Sequence, residues 1–241
     1  GSQHSMDPSG LFAQFPGWRI IAPSTPYDYV GLMNSALLCE DPVLVVEHLD
    51  LYQSTGPAPS QDLDYFIPLG KAKVVRKGED FTVLASLAMV TPCIEMAEEA
   101  GIDAEVIDLR TLDRANLDWK TIGDSVRKTN NVLIVEQGTQ GTSFGGTIAD
   151  ELHRRFFDYL DQPVKRVVGG EAAPTISKVL DLAANASNED ILAGYDELMT
   201  DSGRSVDAAV HVGAPVRDRS RAEVFSRRLA AASRRVGPRS V

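Results

Sequence analysis

Thr82-Val83-Leu84-Ala85, Ala104-Glu105-Val106-Ile107 and Val132-Leu133-Ile134-Val135 are three runs of strand length, apolar nearly throughout, and a fourth, Val43-Leu44-Val45-Val46, lies upstream. Continuous rather than alternating hydrophobicity marks strands covered on both faces, as in a parallel sheet flanked by helices. Helix signals fill the gaps. Thr25 is placed to cap a helix with Pro26 at its first position and Asp28 in its first turn, which predicts a helix to about Leu38. A second helix is predicted over 90–100, with Pro92 in its first turn and Gly101 as its stop. A third covers 118–128, and a fourth starts near Gly145 and carries Ile148, Leu152, Phe156 and Tyr159 at helical spacing. A strand over 164–168 and a helix over 187–199 complete the series. From residue 80 onward strand and helix alternate four times, which predicts an open, mostly parallel α/β sheet flanked by helices and built from right-handed crossovers.

Outward from that repeat, Gln53 to Gln61 is polar and rich in Pro and Gly and reads as a linker. Residues 18–50 supply only strand, helix, strand. An isolated unit of that kind leaves strand edges unpaired, so it either adds to the second domain or ends a larger one, and the second explanation is preferred. The expected organisation is the C-terminal part of a first domain over 1–55, a linker over 56–69, a second domain over 70–200 and a basic, flexible tail over 201–241.

The chain has 241 residues, 43% hydrophobic and 24% charged, which is globular composition. Its two cysteines, Cys39 and Cys93, form neither a metal spacing nor a disulfide framework. No apolar run approaches the roughly 20 residues that span a bilayer, and nothing at the start resembles a signal peptide. The expectation is a cytoplasmic protein with no membrane role. Net charge is −10, and residues 204–241 hold nine Arg against three acids, so residues 1–203 carry −16. Such an acidic body repels the phosphate backbone, which argues against a nucleic-acid function for residues 1–203 and leaves only the tail able to bind polyanions.

Several blocks are recognisable in order. Phe15-Pro16-Gly17-Trp18, Ile21-Ala22-Pro23-Ser24-Thr25-Pro26-Tyr27-Asp28, Glu40-Asp41-Pro42-Val43 and Glu47-His48-Leu49-Asp50-Leu51-Tyr52 come first. Ile67-Pro68-Leu69-Gly70-Lys71-Ala72, Ala104 to Leu112, Ser125 to Thr129 and Phe157 to Val164 follow. Across residues 3–200 the sequence resembles the beta subunit of the thiamine-diphosphate-dependent decarboxylase component of 2-oxo acid dehydrogenase complexes. The resemblance implies the end of a transketolase-like pyrimidine-binding domain followed by a transketolase C-terminal-type domain. It also implies oxidative decarboxylation of a 2-oxo acid, with the cofactor as electron sink and the acyl group passed to a lipoyl arm. The implied partners are an alpha subunit, which holds the diphosphate and its magnesium, and the lipoyl acyltransferase; self-association is also implied. In the family the glutamate that activates the cofactor lies upstream of these blocks. The chain alone is therefore expected to be inactive.

Site residues follow from the same resemblance. Gly1-Ser2-Gln3-His4-Ser5 matches a Gly-x-Gln-His-Ser loop, which makes His4 a catalytic candidate able to exchange protons near neutral pH. The competing reading is a cloning remnant ahead of Met6. Ala36, Leu37, Cys39 and Asp41 match a turn that binds structural potassium, mostly through backbone carbonyls, although Cys39 replaces a usual acid; the bland reading is an ordinary helix end. Gly138 to Gly146 follows a strand and opens a helix, so it could cradle a phosphate, but its spacing fits neither nucleotide fingerprint, and a packing role is preferred for it and for Glu136. Glu47 and His48 sit where open α/β sheets place ligands, yet as neighbours on a strand they should face opposite sides, which points to hydrogen bonding at the domain junction. His153 and His211 show no partner pattern. Residues 217–236 either form a basic helix with Val224, Phe225 and Leu229 to one side or are disordered, and disorder is favoured. The alternative to an enzyme component is a non-catalytic assembly module, and pyruvate, branched-chain oxo acids and acetoin all stay open as substrates.

Overall fold

The computed structural model describes residues 5–56, 63–170 and 176–210, the last ten by backbone alone. A five-stranded sheet has the order β3-β5-β4-β6-β7, with β3 Lys73–Arg76, β4 Phe81–Ala85, β5 Ala104–Asp108, β6 Val132–Thr139 and β7 Lys165–Gly169. All neighbours are parallel except β3, which pairs antiparallel with β5 at the edge. Sequence reading missed β3, because Lys73-Val74-Val75-Arg76 is short, charged at both ends and half-exposed, as edge strands tend to be.

Every position of β4 and β5 is buried, which is the physical reason for their continuous apolar runs. α3 (Val90–Ala100) and α7 (Asn188–Val210) cover one face around Val83, Val106, Leu133 and the fully buried Tyr195. α4 (Trp119–Thr129) and α5 (Gly145–Phe156) cover the other around Leu84, Ile107 and Ile134. The polar residues inside the runs are paired with α4. The Thr82 hydroxyl lies 2.7 Å from those of both Ser125 and Thr129, and Glu105 takes Lys128 at 2.6 Å.

The predicted cap at Thr25 and stop at Gly101 are in place, and Asp118, read from the sequence as the first residue of its helix, is instead its cap. Thr25 accepts from the Asp28 amide at the head of α2 (Pro26–Leu37), Asp118 accepts from Thr121 on α4, and Gly101 ends α3 at φ +67°. Two boundaries differ. α5 stops at Phe156, so Tyr159 lies in a separate 3-10 turn. α7 does not stop near residue 200 but runs on to Val210, into the stretch assigned to the tail, since nothing between Met199 and Val210 breaks a helix except the tolerable Gly203. The remainder of the tail, residues 211–241, lies outside the described residues.

The first unit is β1 (Arg19–Ile21), α2 and β2 (Val43–Val45), with β1 and β2 parallel. Its exposed edge problem is solved on the β1 side. Ala22 donates to the Arg110 carbonyl at 2.8 Å and Leu112 to the Ile20 carbonyl at 2.9 Å, so the loop after β5 pairs with β1. Ile20, Ala22 and Val46 also join the core of the second unit. The latter part of the supposed linker is strapped to α2: Asn34 donates to the Leu63 and Tyr65 carbonyls, Ser35 to that of Ile67, and Tyr27 stacks on Tyr65 at 4.6 Å.

Thr82→Val is expected to lower unfolding free energy by about 1–3 kcal/mol, because Ser125 and Thr129 lose a shared buried partner. The midpoint of a urea titration measures this, with an unchanged slope showing that the fold is kept.

Candidate functional site

β1 and β2 end side by side, and the residues that follow them enclose a pocket of about 350 Å³ lined by Ser24, Tyr29, Glu47, His48, Leu51 and Tyr52 among others. It lies at the carboxyl ends of parallel strands, where such sheets bind ligands. The Tyr52 hydroxyl donates to Glu47 at 3.0 Å. Tyr29 bonds the same carboxylate, and these bonds hold both phenols above their usual pKa, since a phenol that donates to a carboxylate resists ionisation. The His48 Nδ1 accepts from the Asp50 amide at 3.2 Å, which fixes the neutral ring as its Nε2–H tautomer.

Glu47 and His48 also border a second cleft of about 320 Å³, closed on its far side by Leu87, Gln137, Lys178 and Asp181 and at its end by residues 5–8. Both residues therefore line one pocket, contrary to the alternation expected of strand neighbours. β2 stops at Val45, and beyond it the chain no longer obeys a two-residue period. The second cleft opens between the carboxyl ends of β4 and β6, the point where the strand order of the larger sheet reverses.

Beneath the first pocket a buried polar network ties the two units together. Arg110 pairs with Asp28, whose other oxygen accepts from Thr25, and Ser24 donates to Asp108. The Arg110 amide also bonds Asp108, and Arg110 itself holds φ +59°, a strained value for a residue with a side chain. Burial pushes the Asp108 carboxyl up to about 6 despite the bonds from Ser24 and Arg110. Sequence reading took Asp28 for a helix-terminal acid and gave Arg110 no role; the ion pair between them, 82 positions apart, has no local signature.

The other candidates are placed as follows. His4 and the residues before it lie outside the described residues, as does His211. Ala36, Leu37, Cys39 and Asp41 do form the turn that ends α2: the Ala36 carbonyl accepts from the Cys39 amide at 3.1 Å, Leu37 is exposed, and Asp41 faces Arg19 at 3.7 Å. At the glycine-rich loop Glu136 accepts from the Gly145 amide at 2.7 Å and pairs with Arg166, which also bonds Ser143. The chain's own carboxylate thus occupies the head of α5, and a Cβ on Gly145 would collide with it. This is a structural arrangement, as preferred from sequence, and not a phosphate cradle. His153 bonds the Ala149 carbonyl and packs locally.

Thiamine diphosphate and magnesium need cations or free amides for the diphosphate and an oxygen set for the metal. No Lys or Arg lines the first pocket, the second cleft offers Lys178 alone, and among the described residues no group of three or more His, Cys, Asp or Glu could hold a metal ion. The described residues do not by themselves fit the loaded cofactor.

Asp108 makes the junction pH-sensitive. Folded, it keeps its proton to about pH 6, against 3.8 for the free group, so the folded chain binds more protons between these values. Its contribution to stability is fully present below the lower value and lost as pH rises through the upper one. Asp108→Asn should remove that dependence. The unfolding free energy of the wild type should fall, relative to the variant, by on the order of 2 kcal/mol between about pH 4.5 and 7.5 in denaturant titrations.

Comparison with known proteins accords with this architecture. The chain is 35% identical over 197 residues to the mitochondrial pyruvate dehydrogenase E1 component subunit beta of Dictyostelium discoideum, covering 80% of this chain and 55% of that one. It is 39% identical over 170 residues to the corresponding subunit of Porphyra purpurea, covering 69% and 50%. It is also 38% identical over 184 residues to the beta subunit of acetoin:2,6-dichlorophenolindophenol oxidoreductase of Bacillus subtilis (strain 168), covering 75% and 52%. The chain thus spans about half the length of the curated relatives it matches. A solved structure described as a split gene transketolase, an inactive beta4 tetramer, shares the fold with a TM-score of 0.63 at 22% identity, covering 79% of this chain and 60% of that one. Residues 70–191, which hold the whole five-stranded sheet from β3 to β7, match the model of the transketolase C-terminal domain, and the chain belongs to that family.

Proposed function

We propose that this chain is the beta-subunit portion of a thiamine-diphosphate-dependent 2-oxo acid dehydrogenase, working with an alpha subunit and delivering its acyl product to a lipoyl acyltransferase. The observation that carries this reading is that similarity to a pyruvate dehydrogenase E1 subunit beta extends over 197 residues and 80% of the chain. The part assigned to this chain is to shape and wall the approach to the reaction centre. Glu47, held by Tyr29 and Tyr52, and His48, fixed in one tautomer, form the shared rim of two clefts at the carboxyl ends of both sheets. His4 immediately precedes the residues that close the second cleft, and its proton exchange belongs to the same proposal. The mismatch between the described residues and a charged diphosphate is accounted for by an alpha subunit that brings the diphosphate and magnesium ligands. Leu37, Leu38, Ile176 and Val179, 74%, 73%, 95% and 76% exposed, are surfaces suited to burial against that subunit or a second copy. Two unpaired cysteines fit a reducing compartment, and we propose a cytoplasmic setting.

Isothermal titration of magnesium and thiamine diphosphate into the chain alone is expected to give no heat up to about 1 mM cofactor. Binding should appear when an alpha subunit is added. Micromolar binding to the chain alone would show a complete site here and overturn the proposed division of labour.

The turn at Ala36, Leu37, Cys39 and Asp41 belongs to the same proposal as a potassium site. Replacing sodium by potassium at constant ionic strength should raise the thermal midpoint by about 2–4 °C, as binding that stabilises by roughly 1 kcal/mol does in a chain of this size. An identical midpoint in both salts would rule the site out.

A further inference from the structure

A third cleft, of about 390 Å³, shares no lining residue with the two described above. Its walls come from the turn before β1, the loop that leads into α4, and one face of α5. Phe15 and Trp18 stand on the first, Arg114 and Trp119 on the second, and Glu151 and Arg155 on the third. The chain has two tryptophans, and both are here. Each ring is braced by another group and still partly open. Trp18 meets Phe12 edge-on at 5.3 Å, while Trp119 lies 6.4 Å from Phe156 and carries the Arg155 guanidinium over its ring at 4.7 Å. Such bracing sets the rings in place before any ligand arrives, which reduces the entropy lost on binding.

The charge of the cleft runs against that of the chain. Two arginines face one acid, and that acid, Glu151, is taken by the Arg155 Nε at 2.9 Å. Arg114 is exposed and has no ion pair among the described residues. In a body whose first 203 residues carry −16, a locally positive, aromatic cleft selects for an anion that also offers a flat apolar surface. A guanidinium matches carboxylate and phosphate oxygens two at a time, and the cleft volume falls in the range of small-molecule sites.

We propose that this cleft binds a small planar aromatic anion, its ring packed against Trp18 and Trp119 and its acid group held by Arg114. The shared chemistry is a flat ring that bears an acid, whether the phosphate of a nucleotide or the carboxylate of an aromatic acid. The proposal stands apart from the oxo-acid reading, because it uses none of the same residues.

Both tryptophans report from inside the cleft, so intrinsic fluorescence of the full chain tests it directly. Adenosine monophosphate and benzoate are titrated in parallel, with adenosine and inorganic phosphate as the ring-only and acid-only controls. A saturable change with either acid-bearing ring, and at least about tenfold weaker binding of both controls, is the expected result, and which of the two saturates identifies the acid. Arg114→Ala should weaken that binding at least about tenfold and Arg114→Glu should abolish it, with thermal midpoints unchanged because Arg114 is exposed. The proposal fails if neither anion gives a saturable change up to about 5 mM, if adenosine binds as well as its monophosphate, or if Arg114→Ala binds as the wild type does.

Discussion

The pairing of Arg110 with Asp28 is the contact on which the relation between the two units depends. Both side chains are nearly fully buried, at 10% and 1% exposed, and they come from opposite sides of the junction. A buried charge without its partner costs several kcal/mol, so neither unit can shift without exposing or orphaning one of them. Arg110 adopts a left-handed backbone at the end of β5, and the same kink turns its carbonyl toward the Ala22 amide. One strained residue thereby closes the edge of β1, anchors α2 through Asp28 and caps Asp108. The pocket at Glu47 and His48 sits directly above this network and shares Ser24 and Thr25 with it, so the geometry of the rim is inherited from the ion pair.

How much of this could be read from the residues follows from range. β4, β5 and β6 were legible because burial on both faces leaves an apolar run in the sequence itself. Thr25 and Gly101 were legible because capping acts within four residues. β3 was not, since an edge strand buries little and Lys73 and Arg76 disguise it. The site was legible only in part. Glu47 and His48 were singled out by position at a strand end, but their convergence on shared clefts depends on β2 stopping at Val45, which one further valine in the run conceals. The Asp28 to Arg110 pair spans 82 positions and leaves no local trace, so no pattern along the chain could have disclosed it.

The glycine-rich loop shows why the missing anion site is a property of packing rather than of composition. Glycines before a helix usually free its first amides for a phosphate. Here the space that Gly145 leaves is filled by Glu136, which is neutralised in turn by Arg166 reaching across from β7. The helix dipole, the carboxylate and the guanidinium form a closed set, and Arg166 extends it to Ser143 and the Gln140 carbonyl. A loop whose charged groups are paired from within is electrically quiet at close range. Its neighbour, the short helix Ser9–Phe12, packs onto it so tightly that a side chain on Gly10 would collide with the Thr142 carbonyl. The segment that begins at Ser9 and leads through Phe12 to Trp18 is therefore positioned by a loop whose helix-head amide is already taken by Glu136. Phe15 and Trp18 of that segment line the same cleft as Trp119, so the helix terminus is closed by the chain's own carboxylate while the aromatic cleft beside it stays open.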